Sequence, residues 1–330
     1  MEINRSRFQV IRNISLLVLI ILLILLLVDS DEMREALRQI DWGEFAVGVL
    51  FLVAVYVLTA LRTRFLVRDE IGYTDTLGVD SSGLMFSILI QIPNAAFRAL
   101  ALKRSAGVEF PTITSALSVE TITGLLVRSI GIVFAIALVA SNQRDAERPI
   151  LNSILVAVVI VGIIFLLARN SERVASWLKR GLVYIPRVTS DRAEGIASGV
   201  ANTLEQMASV RRFGLALLLT FIIWVASLLF YLYSFQALNV ESTVPDLYIP
   251  LAVMAVAPPT SPAMIGIFHG AVIAVLGTLR LLETDLAAAY AIELHLVQMA
   301  LLLILGVIGM RRLKIDFREI IGEIRGRSPK

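Results

Sequence analysis

Of the 330 residues, 57% are hydrophobic and 17% charged, with a mean hydropathy of +0.81, which describes an integral membrane protein and excludes a soluble globule. The 30 Lys+Arg and 27 Asp+Glu nearly balance, and they flank apolar runs instead of clustering, so a nucleic-acid partner is not expected. Absence of Cys excludes disulfides, thiolate metal sites and cysteine nucleophiles, and with two His as the remaining imidazoles neither a metal nor any other cofactor is expected.

Arg5, Arg7 and Arg12 precede an apolar run from Ile14 to Val28 that reads as a first span, because no small-residue cleavage site follows it. Residues 1–44 thus hold an N-terminal span and an external acidic segment. A second span, Phe45 to Leu61, ends at Arg62, Arg64 and Arg68, which marks that end as cytoplasmic. The run Leu84 to Phe97 is interrupted by Gln91, Pro93 and Asn94 and has basic residues on both sides. It predicts a hairpin over 84–104 that enters from the cytoplasm, turns at Pro93 and returns with Asn94 capping the second helix. The span Thr112 to Ala140 completes a first half, 45–140. Residues 141–212 supply a connecting span, Ile150 to Ala168, and basic amphipathic helices on the cytoplasmic membrane surface, either a linker or a partner-binding or lipid-sensing segment.

Phe213 to Leu238 crosses back, and 247–280 forms a second, outer hairpin. Its first arm, Leu247 to Ala257, has about half of the roughly 20 residues a span needs, and Pro258-Pro259-Thr260-Ser261-Pro262 then breaks it. Thr260 or Ser261 can cap the next helix, with Pro262 in its first turn. A helix that starts inside the membrane turns free N–H groups and a positive dipole end toward an anionic or strongly polar head group. Leu286 to Met310 is the last span, closing a second half at 213–310, and a basic cytoplasmic tail, 311–330, follows. The expected fold is an all-α integral membrane protein of about six full spans plus two re-entrant hairpins, the halves forming an inverted repeat and both termini cytoplasmic, a pattern of transporters.

The polar residues inside apolar runs are the candidate substrate-binding groups. Glu120 and Arg128 lie two turns apart on broadly one face, and an Arg in mid-span faces protein, water or an anion. Arg128 therefore has two open readings: an ion pair with Glu120 or Glu293, or a phosphate ligand. His269 can bind an anion, relay a proton or simply pack. Glu293 and His295 point about 160° apart on a regular helix, so one of them is expected to face a cavity. Gly266 and Gly270 have the spacing of a close helix contact. HExxH, GxSxG, P-loop and dinucleotide fingerprints do not occur, and no catalytic residue is assigned.

Arg98-Ala-Leu-Ala-Leu-Lys103-Arg104, Glu120, and above all Pro259-Thr-Ser-Pro262 followed by Gly266-Ile-Phe-His-Gly270 resemble the transmembrane region of lysylphosphatidylglycerol synthases and its stand-alone flippase-like relatives. Against that family's pattern, Ala263-Met264 replace glycines, His269 replaces a Glu, Thr121 stands where an Arg is usual, and no Gly-Glu precedes Arg98, which makes the chain a divergent member. The resemblance implies movement of an anionic, aminoacylated or polyprenyl-phosphate lipid between leaflets of a prokaryotic plasma membrane, with Arg98 added to the candidate ligands. The aminoacyl-transferring domain of the synthases has no counterpart in the sequence. Two alternatives stand beside a flippase or scramblase: a membrane enzyme acting on a lipid-linked substrate, with Glu120 or Glu293 as base and His269 as acid, and an accessory subunit that recruits a cytoplasmic or membrane synthase partner.

Overall fold

The computed structural model describes residues 38–67, 71–90, 92–141, 169–183, 190–240, 245–256 and 267–313, with isolated positions in 155–166 and 320–324. Among these residues there are ten α-helices and no strand: α1 (Trp42–Leu66), α2 (Tyr73–Ile90), α3 (Asn94–Ala106), α4 (Phe110–Ser141), α5 (Ser171–Val183), α6 (Ser190–Ala208), α7 (Val210–Ala237), α8 (Tyr248–Val256), α9 (Ile267–Thr278) and α10 (Thr284–Leu313). Four are long and apolar enough to cross a membrane, within α1, α4, α7 and α10. They match the predicted second, third, fifth and last spans and extend each by a few residues.

The helix ends follow from local chemistry. Asp41 caps α1, its Oδ1 accepting from the N–H groups of Gly43 and Glu44 at 2.7 and 3.2 Å, which satisfies two donors that have no partner within the helix. Helix α3 stops at Gly107, where φ is 68°, a conformation that glycine adopts without a Cβ clash. Helix α7 stops at Asn239, also left-handed at 53°, whose amide donates to the Gln39 carbonyl.

The chain divides into two compact units. The first comprises Met1–Val57, Leu77–Arg98 and Trp224–Lys330, and the second Leu58–Thr76 and Ala99–Ile223. In the first unit, α8 and α9 pack with α10 around Ile249, Val253, Phe268, Val272, Leu276, Tyr290 and Leu294, and Phe230 and Phe235 of α7 complete this core. Leu296, Ile304 and Ile308 of α10 are exposed, as lipid-facing side chains are. Helices α2 and α10 approach until backbones touch: a methyl group on Gly309 would lie 2.6 Å from the Gly78 carbonyl oxygen, and Ser82 Oγ donates to the Gly306 carbonyl at 3.1 Å. In the second unit, α6 packs on both α5 and α4. Trp177 on α5 remains 70% exposed between Arg173 and Arg180, themselves exposed.

Two expectations change. The helix predicted to begin near Leu84 begins at Tyr73, because the polar stretch before it is an inward face: Asp80, Ser81 and Ser82 are all buried. Asn94 is the first residue of α3, not its cap; the Pro93 carbonyl accepts from the Phe97 N–H, and Asn94 Oδ1 is aimed at the space beside Gly83. The predicted span at Ile14–Val28, the connection 142–149, the break at Pro258, Pro259 and Pro262, and Gly266 lie outside the described residues. Ile150–Ala168 is described at Leu155, Val159, Gly162 and Leu166, each helical and exposed.

Candidate functional site

Three clusters of buried polar side chains interrupt the apolar packing. The first joins three of the four candidate spans. Arg62 of α1, 7% exposed, pairs through Nη2 with Glu120 Oε1 of α4 at 2.7 Å, and its Nη1 donates to Thr220 Oγ1 of α7 at 3.1 Å. Thr220 donates in turn to Thr123 of α4, and Thr63 to Glu120 Oε2. A guanidinium at this depth is tolerated because a carboxylate and hydroxyls replace its water. The Nε of Arg62 is buried with no acceptor.

The sequence marked Glu120 but read Arg62 as a solvated flank of its span. Their pairing also bears on Arg128: the arginine that holds Glu120 comes from α1. Arg128, half-buried on α4, makes interactions of its own.

In the second cluster, Arg98 of α3, 6% exposed, pairs through Nε with Asp80 Oδ1 of α2 at 2.8 Å. Gly83 gives this side chain room, since a Cβ there would lie 3.0 Å from Arg98 Cγ and 2.5 Å from Asn94 Oδ1. Asp80 was not among the predicted residues. The available signal was a carboxylate followed by two serines directly ahead of an apolar run, a pattern that a helix buried on that side also produces. Pro93, in the turn between α2 and α3, is exposed.

The third cluster surrounds α10. The chain's two histidines meet, the ring centroids of His269 on α9 and His295 on α10 lying 4.9 Å apart, with Phe268 against both. Both rings are buried, and His295 Nε2 has no hydrogen-bond partner. Glu293, around the helix from His295, is 3% exposed, so both residues are enclosed within the packing. Ser234 of α7 is the polar neighbour of Glu293, yet neither carboxylate oxygen is in a hydrogen bond of good geometry. Close by, Tyr290 donates to the Tyr231 carbonyl at 2.5 Å and Gln298 to the Tyr231 hydroxyl at 3.3 Å. Thr260 and Ser261 lie outside the described residues, and Gly270 is exposed with nothing within 4 Å of a methyl group placed on it. Among the described residues no group of three His, Cys, Asp or Glu side chains converges as a metal site would require.

Comparison with known proteins gives one match. The family described as lysylphosphatidylglycerol synthase TM region matches residues 13–306, most of the chain. No curated protein and no solved structure matches. The apolar helices and the family together make this a multi-pass membrane protein. The chain belongs to the lysylphosphatidylglycerol synthase transmembrane-region family.

Proposed function

We propose that this chain moves a phosphate-bearing lipid, whether anionic, aminoacylated or polyprenyl-linked, between membrane leaflets, as a flippase or scramblase. The observation that carries the reading is the Arg98–Asp80 pair, a buried arginine directly after the first turn of α3 held by a carboxylate of α2. A guanidinium fixed in this way presents a planar fork that suits a phosphate, and a phosphate entering the site can exchange with the carboxylate. Family membership supports lipid as the substrate.

In this reading α2 with α3 and α8 with α9 are two re-entrant hairpins, each at the middle of a triplet of helices, and the triplets have inverted order. The sequence Pro258-Pro259-Thr260-Ser261-Pro262 between α8 and α9 favours it, since clustered prolines interrupt a helix. Both termini and the α5–α6 pair are then cytoplasmic, and Arg128, His269 and the Thr260-Ser261 break are further ligands for the head group.

Transbilayer movement of labelled anionic, zwitterionic and polyprenyl-phosphate lipids in liposomes containing the purified chain tests this. The double variant Arg98→Gln/Asp80→Asn removes both charges while leaving amides that can pair, so it is expected to fold and to lose head-group-selective movement. Undiminished movement in that variant rejects the site. Chemically altered lipid recovered by mass spectrometry rejects transport in favour of an enzyme.

A further inference from the structure

Among the buried charged side chains of the described helices, Glu293 stands apart. Arg62 and Glu120 hold one another, as do Arg98 and Asp80, whereas Glu293 forms no ion pair among the described residues. Among the described residues its polar neighbours are hydroxyl groups and not cations. Ser234 approaches from α7, and Tyr290, whose hydroxyl donates to the Tyr231 carbonyl, lies one turn earlier on α10. The two histidines belong to the other side of α10, roughly 160° around the helix at His295. A carboxylate enclosed in apolar packing is costly unless a cation accompanies it, and ionisable groups in membrane helices are accordingly paired or bind ions.

We propose that Glu293, with the Ser234 hydroxyl beside it, is the binding site for a small monovalent cation, a proton or a sodium ion, whose movement is coupled to that of the lipid. Transporters bind such coupling ions with buried carboxylates and backbone or hydroxyl oxygens near mid-membrane. The coupling role rests on the transport reading above, while the cation site itself does not. Linkage requires reciprocity: if the cation changes lipid affinity by some factor, the lipid changes cation affinity by the same factor.

Dicyclohexylcarbodiimide tests the site directly. This apolar reagent takes up a protonated carboxyl group, whose O–H adds across one C=N bond before the acyl group shifts to nitrogen, leaving a stable N-acylurea with no leaving group. The full chain in liposomes is treated with the reagent, and labelled peptides are identified by mass spectrometry. Glu293 is expected to be labelled, and Glu120, held by Arg62, is expected to resist. Labelling that falls when sodium ions are added at constant pH assigns sodium; labelling that falls only as pH is raised assigns the proton. Failure to label Glu293 in folded protein, or labelling indifferent to both cations, overturns the site.

Glu293→Gln provides the second measurement. It should elute as folded protein and lose the dependence of lipid movement on an imposed cation gradient. Gradient-dependent movement that survives in this variant overturns the coupling role. If no lipid moves in the unsubstituted chain while cation-sensitive labelling of Glu293 persists, the transport reading fails and the cation site stands.

Discussion

Glu120 and Glu293 are both acids enclosed in candidate membrane spans, and they illustrate two ways of keeping a carboxylate there. Glu120 is closed off: Arg62 faces one oxygen at 2.7 Å and Thr63 the other, while Thr220 accepts from the guanidinium's Nη1 and is itself bonded to Thr123. Glu293 has hydroxyl-bearing neighbours and no ion-pair partner among the described residues. Burial alone therefore does not distinguish a structural charge from a working one. What distinguishes them is whether the protein supplies the counter-charge itself or leaves it to a ligand.

Substitutions sort the two cases by size of effect. Arg62→Ala strands Glu120 and Thr220 without their partner and is expected to cost about 3–5 kcal/mol, read as a large fall in thermal stability in detergent. Arg62→Met combined with Glu120→Leu, which removes both charges, should restore most of that loss. If the double variant is as unstable as the single one, the pair contributes more than mutual neutralisation. Gly309→Ala separates packing from charge. Its methyl group would meet the Gly78 backbone, which cannot move aside as a side chain can, so a loss of about 1–3 kcal/mol is expected in the same melt.

Glu293→Gln, by contrast, breaks no ion pair and should change stability by less than about 1 kcal/mol, and a loss as large as that of Arg62→Ala would mean that Glu293 is a structural charge after all. The smallest effect belongs to Lys179→Ala. Lys179 Nζ lies 2.6 Å from Glu194 Oε2, but both side chains are well exposed, and such pairs contribute about 0.2–1 kcal/mol that salt then screens. Melting curves at low and high ionic strength should converge for that pair and remain apart for Arg62 and its variants.

The long spans were legible in the sequence because hydropathy over about 20 residues is a property of the chain itself. Trp42–Leu66, Phe110–Ser141, Val210–Ala237 and Thr284–Leu313 all contain their predicted cores. The site was legible only by halves. Glu120 and Arg98 announced themselves as charges in apolar surroundings, but their partners did not. Arg62 sits at the end of a span, where a snorkelling arginine and an inward-turned one have the same local sequence, and the carboxylate that decides between them is 58 positions away. Asp80 lies among serines, so a hydropathy window takes a buried polar face for a loop. His269 and His295 were each visible, but their meeting depends on how α9 packs against α10, which neither segment encodes alone.

The same limit applies to glycine. The spacing of Gly266 and Gly270 suggested a close contact that falls partly outside the described residues; among those residues backbones meet at Gly78 and Gly309, in helices more than two hundred residues apart in sequence. No spacing rule within one helix can find a partner on another.

The seam between α2 and α10 also has a mechanical consequence. Touching backbones at Gly78 and Gly309, with Ser82 bonded to the Gly306 carbonyl one turn away, leave no side-chain cushion over which one helix could slide on the other. Whatever rearrangement accompanies activity, these two helices travel together. A pair of spin labels placed across the seam should keep one separation in every state, a built-in ruler against which displacement elsewhere in the molecule can be measured.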